Sequence, residues 1–321
     1  RSDSASAAIV PNRPDDSGIM ARITSTDPDL RMPPVETGEP LSVSQIRTLR
    51  RWIEQGAIYQ RHWSFEPIVK PAVPDVAAGS NPIDAFVAAR LKLHNLSPAP
   101  RATEETLLRR VTFDLIGLPP AIEDLKTLRA VSWEQAVDQL LASPHFGERM
   151  AVDWLDLARF ADTNGYFGDK PRQIWLWRDW VIDAFNENMP FDRFTVEQLA
   201  GDLLPDATVR QKIASGFNRN PMSNNETGIF DEEYRVEYVF ARVDTTMTTR
   251  LGLTFGCAQC HDHKYDPITQ EEYYQLFAFF NNDPERGLLT GNNPPPEISV
   301  PTEEQQRQLA VRSAAAAAAV K

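Results

Sequence analysis

Cysteine is almost missing from this chain, with two thiols in 321 residues. That excludes a disulfide framework, which needs several bridges. No apolar run approaches the roughly 20 residues that cross a bilayer as a helix, so no segment reads as a transmembrane span. Basic residues are in deficit, 33 Lys and Arg against 45 Asp and Glu, for a net charge of −12. That balance argues against nucleic acid, whose phosphates require a basic face. It suits solubility, or a basic redox partner. Runs with period-two alternation are scarce, which removes most strand-based folds and leaves a mainly α expectation. Apolar residues make up 42%, enough for real cores, and the length suits two or three domains.

The two cysteines that are present sit together in Cys257-Ala258-Gln259-Cys260-His261. This is C-x-x-C-H, the attachment pattern of a covalently bound c-type haem. On one helical turn, positions i, i+3 and i+4 share a face. Cys257 and Cys260 can then bond two vinyl groups on one porphyrin edge, while His261 offers its imidazole as the axial ligand. Two other readings compete. A C-x-x-C redox dithiol is one, although no clear βαβ pattern surrounds it. Zinc is the other, with His263 as an added nitrogen, but the four residues are too compressed to wrap one tetrahedral ion, and no second C-x-x-C or H-x₃-H completes a site.

His261 fills one axial position. Candidates for the sixth ligand are Met222, Met247, Met150, His145, His62 and His94. Met222 leads because it sits in a polar loop, Asn220-Pro221-Met222-Ser223-Asn224-Asn225-Glu226, and loops often deliver functional side chains. Met247 lies too near Cys257 to reach the opposite haem face if the chain between them is helical. His263 is expected as a supporting or propionate contact; of Asp262 and Asp266, one is a candidate to orient His261 or to compensate Lys264 and Arg286, and nothing in the spacing demands a catalytic carboxylate. Asn224, Glu226, Asp231, Glu232 and Glu233 form an acidic, amide-rich run. Calcium is one reading of it; without D-x-D-x-D-G spacing, a solvated helix start stabilised by the dipole is favoured.

Helices dominate the rest. Residues 1–40 are proline-broken and loop-rich. Ser42 and Gln45 make a capping box ahead of a stripe of Val43, Ile46, Leu49 and Ile53, closed by Gly56. A Pro/Ala/Gly stretch over 66–82, including Gly79, marks a linker. Helices are then expected from Asn81 to Leu93, from Thr103 to just before Gly117, from Ser132 to Leu141, and over 145–161, 173–187, 195–201, 207–217, 231–250 and Thr269 to Phe280. The aromatics of the middle region (Trp154, Phe160, Tyr166, Phe167, Trp175, Trp177, Trp180, Phe185) read as core, with a haem wall as the minority reading. A run of alanines near the C-terminus favours a short helix.

These segments resemble the planctomycete-type cytochrome c proteins, which pair a small cytochrome c domain with a larger domain of unknown function. The matching blocks are His62-Trp63-Ser64-Phe65, the stretch from Leu108 to Leu115, Gly117-Leu118-Pro119-Pro120, Asp153 to Arg159, Asn188 to Asp192, Gln198 to Asp202, Leu251 to Thr254 and Cys257 to Pro267. They cover about residues 62–282. Residues 1–57 are similar to the second half of the small domain, through Asp29-Leu30-Arg31-Met32-Pro33-Pro34 and the helix ending near Trp52, Gly56 and Ala57.

The resemblance implies residues 1–60 as the C-terminal half of a small cytochrome c-like domain, 61–82 as linker, 83–285 as a large helical domain carrying the motif, and 286–321 as loop and poly-Ala tail leading into a further region. It implies Met32 as the distal ligand of the small-domain haem, whose own C-x-x-C-H would lie upstream of Arg1. One haem c is expected from Cys257, Cys260 and His261, and a second with the upstream part. Attachment takes place outside the cytoplasm, so export to the periplasm or cell surface follows, with Arg1 opening a mature or partial chain. The expected function is electron transfer to a redox partner protein, another cytochrome among the candidates, with assembly with other chains foreseen. A haem-dependent oxidoreductase or peroxidase, and a structural exported module, are the alternatives.

Overall fold

A computed structural model describes residues 7–60, 62–75, 81–291, 293 and 295–319. Among these residues regular structure is helical throughout, apart from two isolated β-bridges, Thr163 to Pro171 and Asn224 to Leu288. The fold is mainly α. No described helix is long and apolar enough to cross a membrane. The chain divides into two compact units, Arg1–Ala99 and Pro100–Lys321.

In the first unit a short helix, α1 (Gly18–Ile23), interrupts the region expected as loop, and α2 (Val43–Glu54) follows. Met20 and Ile23 of α1 bury against Ile53 of α2, with Leu49 and Trp52 around them. The α2 start is the expected capping box: Gln45 N–H donates to the Ser42 hydroxyl and Gln45 Oε1 accepts the Ser42 N–H at 2.8 Å. Later, α3 (Pro82–Leu93) opens with Pro82 at its first position and the Asn81 side chain accepting the Ile83 N–H. The division by packing falls after α3, beyond the 61–82 segment expected as linker. Gly79, within that segment, lies outside the described residues.

The second unit holds three apolar clusters. Helices α4 (Glu104–Ile116), α5 (Ile122–Arg129) and α6 (Trp133–Leu141) gather around Leu108, Ala136 and Leu140. No helix was expected over α5. Its signal is Asp124, whose carboxylate accepts the Ala121 N–H at 3.2 Å. The central cluster belongs to α7 (Pro144–Leu157), α8 (Trp175–Asn186), α9 (Phe191–Ala200) and α10 (Val209–Ala214), built on Trp154, Trp177, Trp180, Phe194 and Phe217. Burying one such ring contributes about 4–6 kcal/mol as an upper bound. Of the aromatics read as core, Tyr166, Phe167 and Trp175 stand outside it, with Phe167 97% exposed. Helix α7 stops earlier than the expected residue 161, because Arg159 turns to φ +60° and directs Phe160 onto Trp177, centroids 6.0 Å apart. Gly147 lets α7 lie directly on α8, since a Cβ there would come 2.3 Å from the Ile182 carbonyl oxygen.

The third cluster is formed by α11 (Asp231–Leu251), α12 (Gln270–Phe280) and the chain between them. Both ends of α12 match expectation, with a Thr269–Glu272 capping box. The acidic run Asp231-Glu232-Glu233 is the first turn of α11. The alanine-rich tail is part of a longer helix, α13 (Glu303–Ala319), started by a Thr302–Gln305 exchange of hydrogen bonds.

Candidate functional site

Helix α11 ends at Gly252, whose φ of +65° is the left-handed C-cap that glycine adopts freely. The chain then enters a 3₁₀ turn, Phe255–Gln259, closed by Cys260 N–H donating to the Cys257 carbonyl at 3.5 Å. Side chains at i and i+3 of a 3₁₀ turn eclipse one another. Two rows result. Phe255 and Ala258 point inward, 5% and 0% exposed, into the cluster with Val243, Ile268 and Tyr273. Cys257 and Cys260 form the outward row, both free and exposed. The motif is thus a single turn, not α-helical, with its apolar pair anchored and its thiols presented together.

The turn is clamped from α12. The Gln259 carbonyl accepts the Gln270 amide at 3.0 Å and the Tyr274 hydroxyl at 3.1 Å. Asp262 Oδ1 accepts the Gln270 N–H at 2.8 Å. The His261 side chain is exposed, and its Nδ1 lies 2.7 Å from the Asp262 carbonyl oxygen. A carbonyl only accepts, so Nδ1 carries the proton and the Nε2 lone pair is left for a metal. The backbone of Asp262, not the expected carboxylate of Asp262 or Asp266, therefore orients His261. His263 is turned into its own loop: its Nδ1 accepts the N–H groups of Asp266 at 2.8 Å and Tyr265 at 3.3 Å.

Beneath the turn sits Asp244 of α11, its carboxylate against Gly256, where an added Cβ would lie 3.0 Å from Oδ2. Burial pushes this carboxyl above its usual range, opposed by the charge of Arg159. Burial and then the Asp244 charge push the Tyr273 phenol up as well. Neither Asp244 nor the Gln259 clamp was legible in the sequence, because each partner is distant along the chain. The inward Phe255/Ala258 pair was not read from the sequence either, although its i, i+3 spacing is a local signal.

The candidate sixth ligands are scattered. Met222 packs against Gly165, next to Tyr166, whose ring meets Tyr234 at 5.6 Å. The motif meets α11 at Asp244, ten residues on, about 15 Å along the helix axis. Met247 packs with the third cluster. Met150 is partly buried on α7, and His145 pairs with Glu148 at 2.7 Å. In the first unit His62 shares a bond with Ser64, and His94 caps the C-terminus of α3. Met32 is 43% exposed on the loop after α1, its N–H bonded to the Arg22 carbonyl at 3.1 Å. The amide-rich run spends its oxygens separately. Glu226 Oε1 accepts Phe167 and Gly168 N–H groups, Asp231 accepts Leu288 N–H, and Glu232 pairs with Arg235. Among the described residues no three His, Cys, Asp or Glu side chains gather as a metal site.

The donor set fits a covalently attached haem: two co-facial accessible thiols and a neighbouring imidazole with Nε2 free. A family model described as PSCyt2, protein of unknown function (DUF1549), matches residues 82–285. The chain belongs to the PSCyt2 family. Ahead of the PSCyt2 region, a second model, Planctomycete cytochrome C (PSCyt1), matches residues 1–36. The two matches bear out the family resemblance drawn from the sequence, without reaching residues 37–81. The PSCyt2 match begins at α3, so the family segment includes a helix that packs with the first unit. No curated protein and no solved structure matches the chain.

Proposed function

We propose that this PSCyt2 protein is an exported c-type cytochrome that carries electrons. Cys257 and Cys260 would hold haem c through two thioethers, each thiol adding across a porphyrin vinyl group, and His261 would offer Nε2 to the iron. The observation that carries the reading is the turn itself: an anchored inner pair, two outward thiols on one edge, and an imidazole whose tautomer is set by the Asp262 carbonyl. The haem supplies a one-electron iron couple when bound. The chain supplies the rest. Gln270 and Tyr274 hold the turn through the Gln259 carbonyl, and the Nδ1–H bond makes the imidazole a better donor. In the small domain Met32 would supply its thioether to the iron of a second haem. The acidic surface suits a basic redox partner protein, another cytochrome included, and the site of attachment is periplasmic or at the cell surface. The test is a pyridine haemochrome assay and intact-mass measurement on protein co-expressed with the c-type maturation system. One haem on the Cys257 turn is expected, lost in the double variant Cys257→Ala, Cys260→Ala. His261→Ala keeps the covalent haem and changes its spin state. Protein without added mass at that turn refutes the reading.

A further inference from the structure

We propose that Asp244 is a proton acceptor coupled to the haem at the Cys257 turn, so that this chain takes up one proton as it takes up one electron. The proposal rests on the haem reading of that turn and adds a residue to it. Asp244 lies on α11 directly beneath the turn. Its Oδ2 and Oδ1 stand 3.0 Å and 3.4 Å from the place a Cβ on Gly256 would occupy. Gly256 is the residue before Cys257, so the missing side chain lets a carboxyl press close to the point of attachment. Asp244 Oδ1 is buried with no donor in bonding geometry. An ionisable group held this way weakens a fold, and a neutral residue of similar shape would avoid that cost.

Four segments surround this carboxyl. The turn brings Gly256, whose neighbour Cys257 gives its thiol to attachment. Helix α12 brings Tyr273, fully buried, with Tyr274 beside it. Glu237 lies two turns earlier on α11, and Arg159, exposed just past the end of α7, brings a positive charge. Burial holds the carboxyl above its usual range, while Arg159 and the Tyr273 hydroxyl draw it back. Asp244 is therefore not locked in an ion pair, and its charge can follow a new charge placed above it. Asp262 and Glu272, also near the turn, differ. Both are exposed, and each gives an oxygen to a main-chain N–H, of Gln270 and Thr269 respectively. Solvent and salt screen such charges far more than buried ones.

Oxidised iron carries one more positive charge than reduced iron, and charges interact more strongly away from water. The extra charge favours the carboxylate, so Asp244 holds its proton less tightly beside oxidised iron and more tightly beside reduced iron. When a one-electron donor, the redox partner, reduces the iron, the Asp244 carboxylate takes one proton from solvent and becomes the neutral acid. On reoxidation the electron leaves to an acceptor and the proton returns to water. Between the two pKa values the reduction potential falls by about 59 mV per pH unit, one proton per electron. Outside that window it is flat. Reduced iron adds no net charge to the porphyrin core, so burial sets the upper edge of the window above the ordinary carboxylate range.

The test is a spectroelectrochemical titration of the haem-loaded protein from about pH 4 to about pH 9, with haem content measured first. The parent is expected to show a falling step in potential that Asp244→Asn lacks. Above the step the variant's potential lies higher than the parent's, because the carboxylate that favours oxidised iron is gone. Arg159→Gln moves the step to higher pH, because it removes the cation that draws the carboxyl down. An infrared difference spectrum, reduced minus oxidised, taken within the step should gain a protonated-carboxyl C=O band that Asp244→Asn does not show. If Asp244→Asn does not fold, Arg159→Gln decides, since its side chain is exposed. A flat potential in the parent overturns the proposal. So does a step that survives in Asp244→Asn, which belongs to the haem propionates or another group, or one that Arg159→Gln leaves in place. Haem-free protein overturns the haem reading and this proposal with it, whereas those results on haem-bearing protein overturn this proposal alone.

Discussion

Glu285 joins three separated segments of the second unit, and replacing it measures how far that unit depends on one buried charge. The residue is 7% exposed and accepts from Arg219, in the turn after α10, and from Arg242 on α11, itself 5% exposed. Arg242 also donates through Nε to the Asn218 carbonyl at 2.9 Å. Glu285→Gln removes the negative charge and leaves two guanidiniums close together, one fully buried. Breaking a buried pair from one side costs about 3–5 kcal/mol. For a unit of 150–250 residues, 1 kcal/mol shifts Tm by about 2–4 °C, so a fall of about 6–20 °C is expected. Urea unfolding at pH 7, followed by the fluorescence of the buried tryptophans, gives the free energy directly. The double variant Arg242→Met, Glu285→Leu should recover much of the loss, because it removes the uncompensated charge along with its partner. A single-variant loss below about 1 kcal/mol would refute the argument, since it would mean that water or another group already neutralises the pair.

Asp244→Asn tests the carboxyl under the Phe255–Gln259 turn. Its pKa in the fold lies above the ordinary carboxylate value, so the penalty for ionising it is absent in acid and grows as pH rises through the raised pKa. The variant should be more stable than the parent at pH 7 and lose that advantage near pH ~3; equal stability at both pH values would contradict the burial effect. Gly287→Ala is expected to cost at least about 3 kcal/mol in thermal unfolding, the upper part of the overpacking range, because its Cβ would come 1.8 Å from the Asp231 carbonyl oxygen. A tolerated alanine there would show that the start of α11 can shift freely.

Much of the helical layout was legible because helix ends are local. The boxes at Ser42, Ser132 and Thr269 each satisfy main-chain donors within three residues, and such bonds leave a signature that no tertiary contact needs to supply. Helix α7 was misjudged for the opposite reason: its stop at Leu157 follows from Phe160 reaching Trp177 on another helix. The C-x-x-C-H spacing singled out three candidate site residues, but an α-helical turn was expected, with an aspartate carboxylate as one candidate to hold the histidine, and the fold supplies a 3₁₀ turn and a main-chain carbonyl. Met222 stood out by its loop setting, and the structure packs it against Gly165.

By itself the sequence determined the family, the helical class, most of the caps, and the pairing of both thiols with an adjacent imidazole. All of these rest on residues a few positions apart, whose bonds form wherever the chain folds. Only the tertiary structure decided that Cys257 and Cys260 face outward, that Glu285 bridges Arg219 and Arg242, and that Asp244 comes to lie against Gly256. Those outcomes depend on which distant surfaces exclude water from one another, and burial of that kind has no local signature.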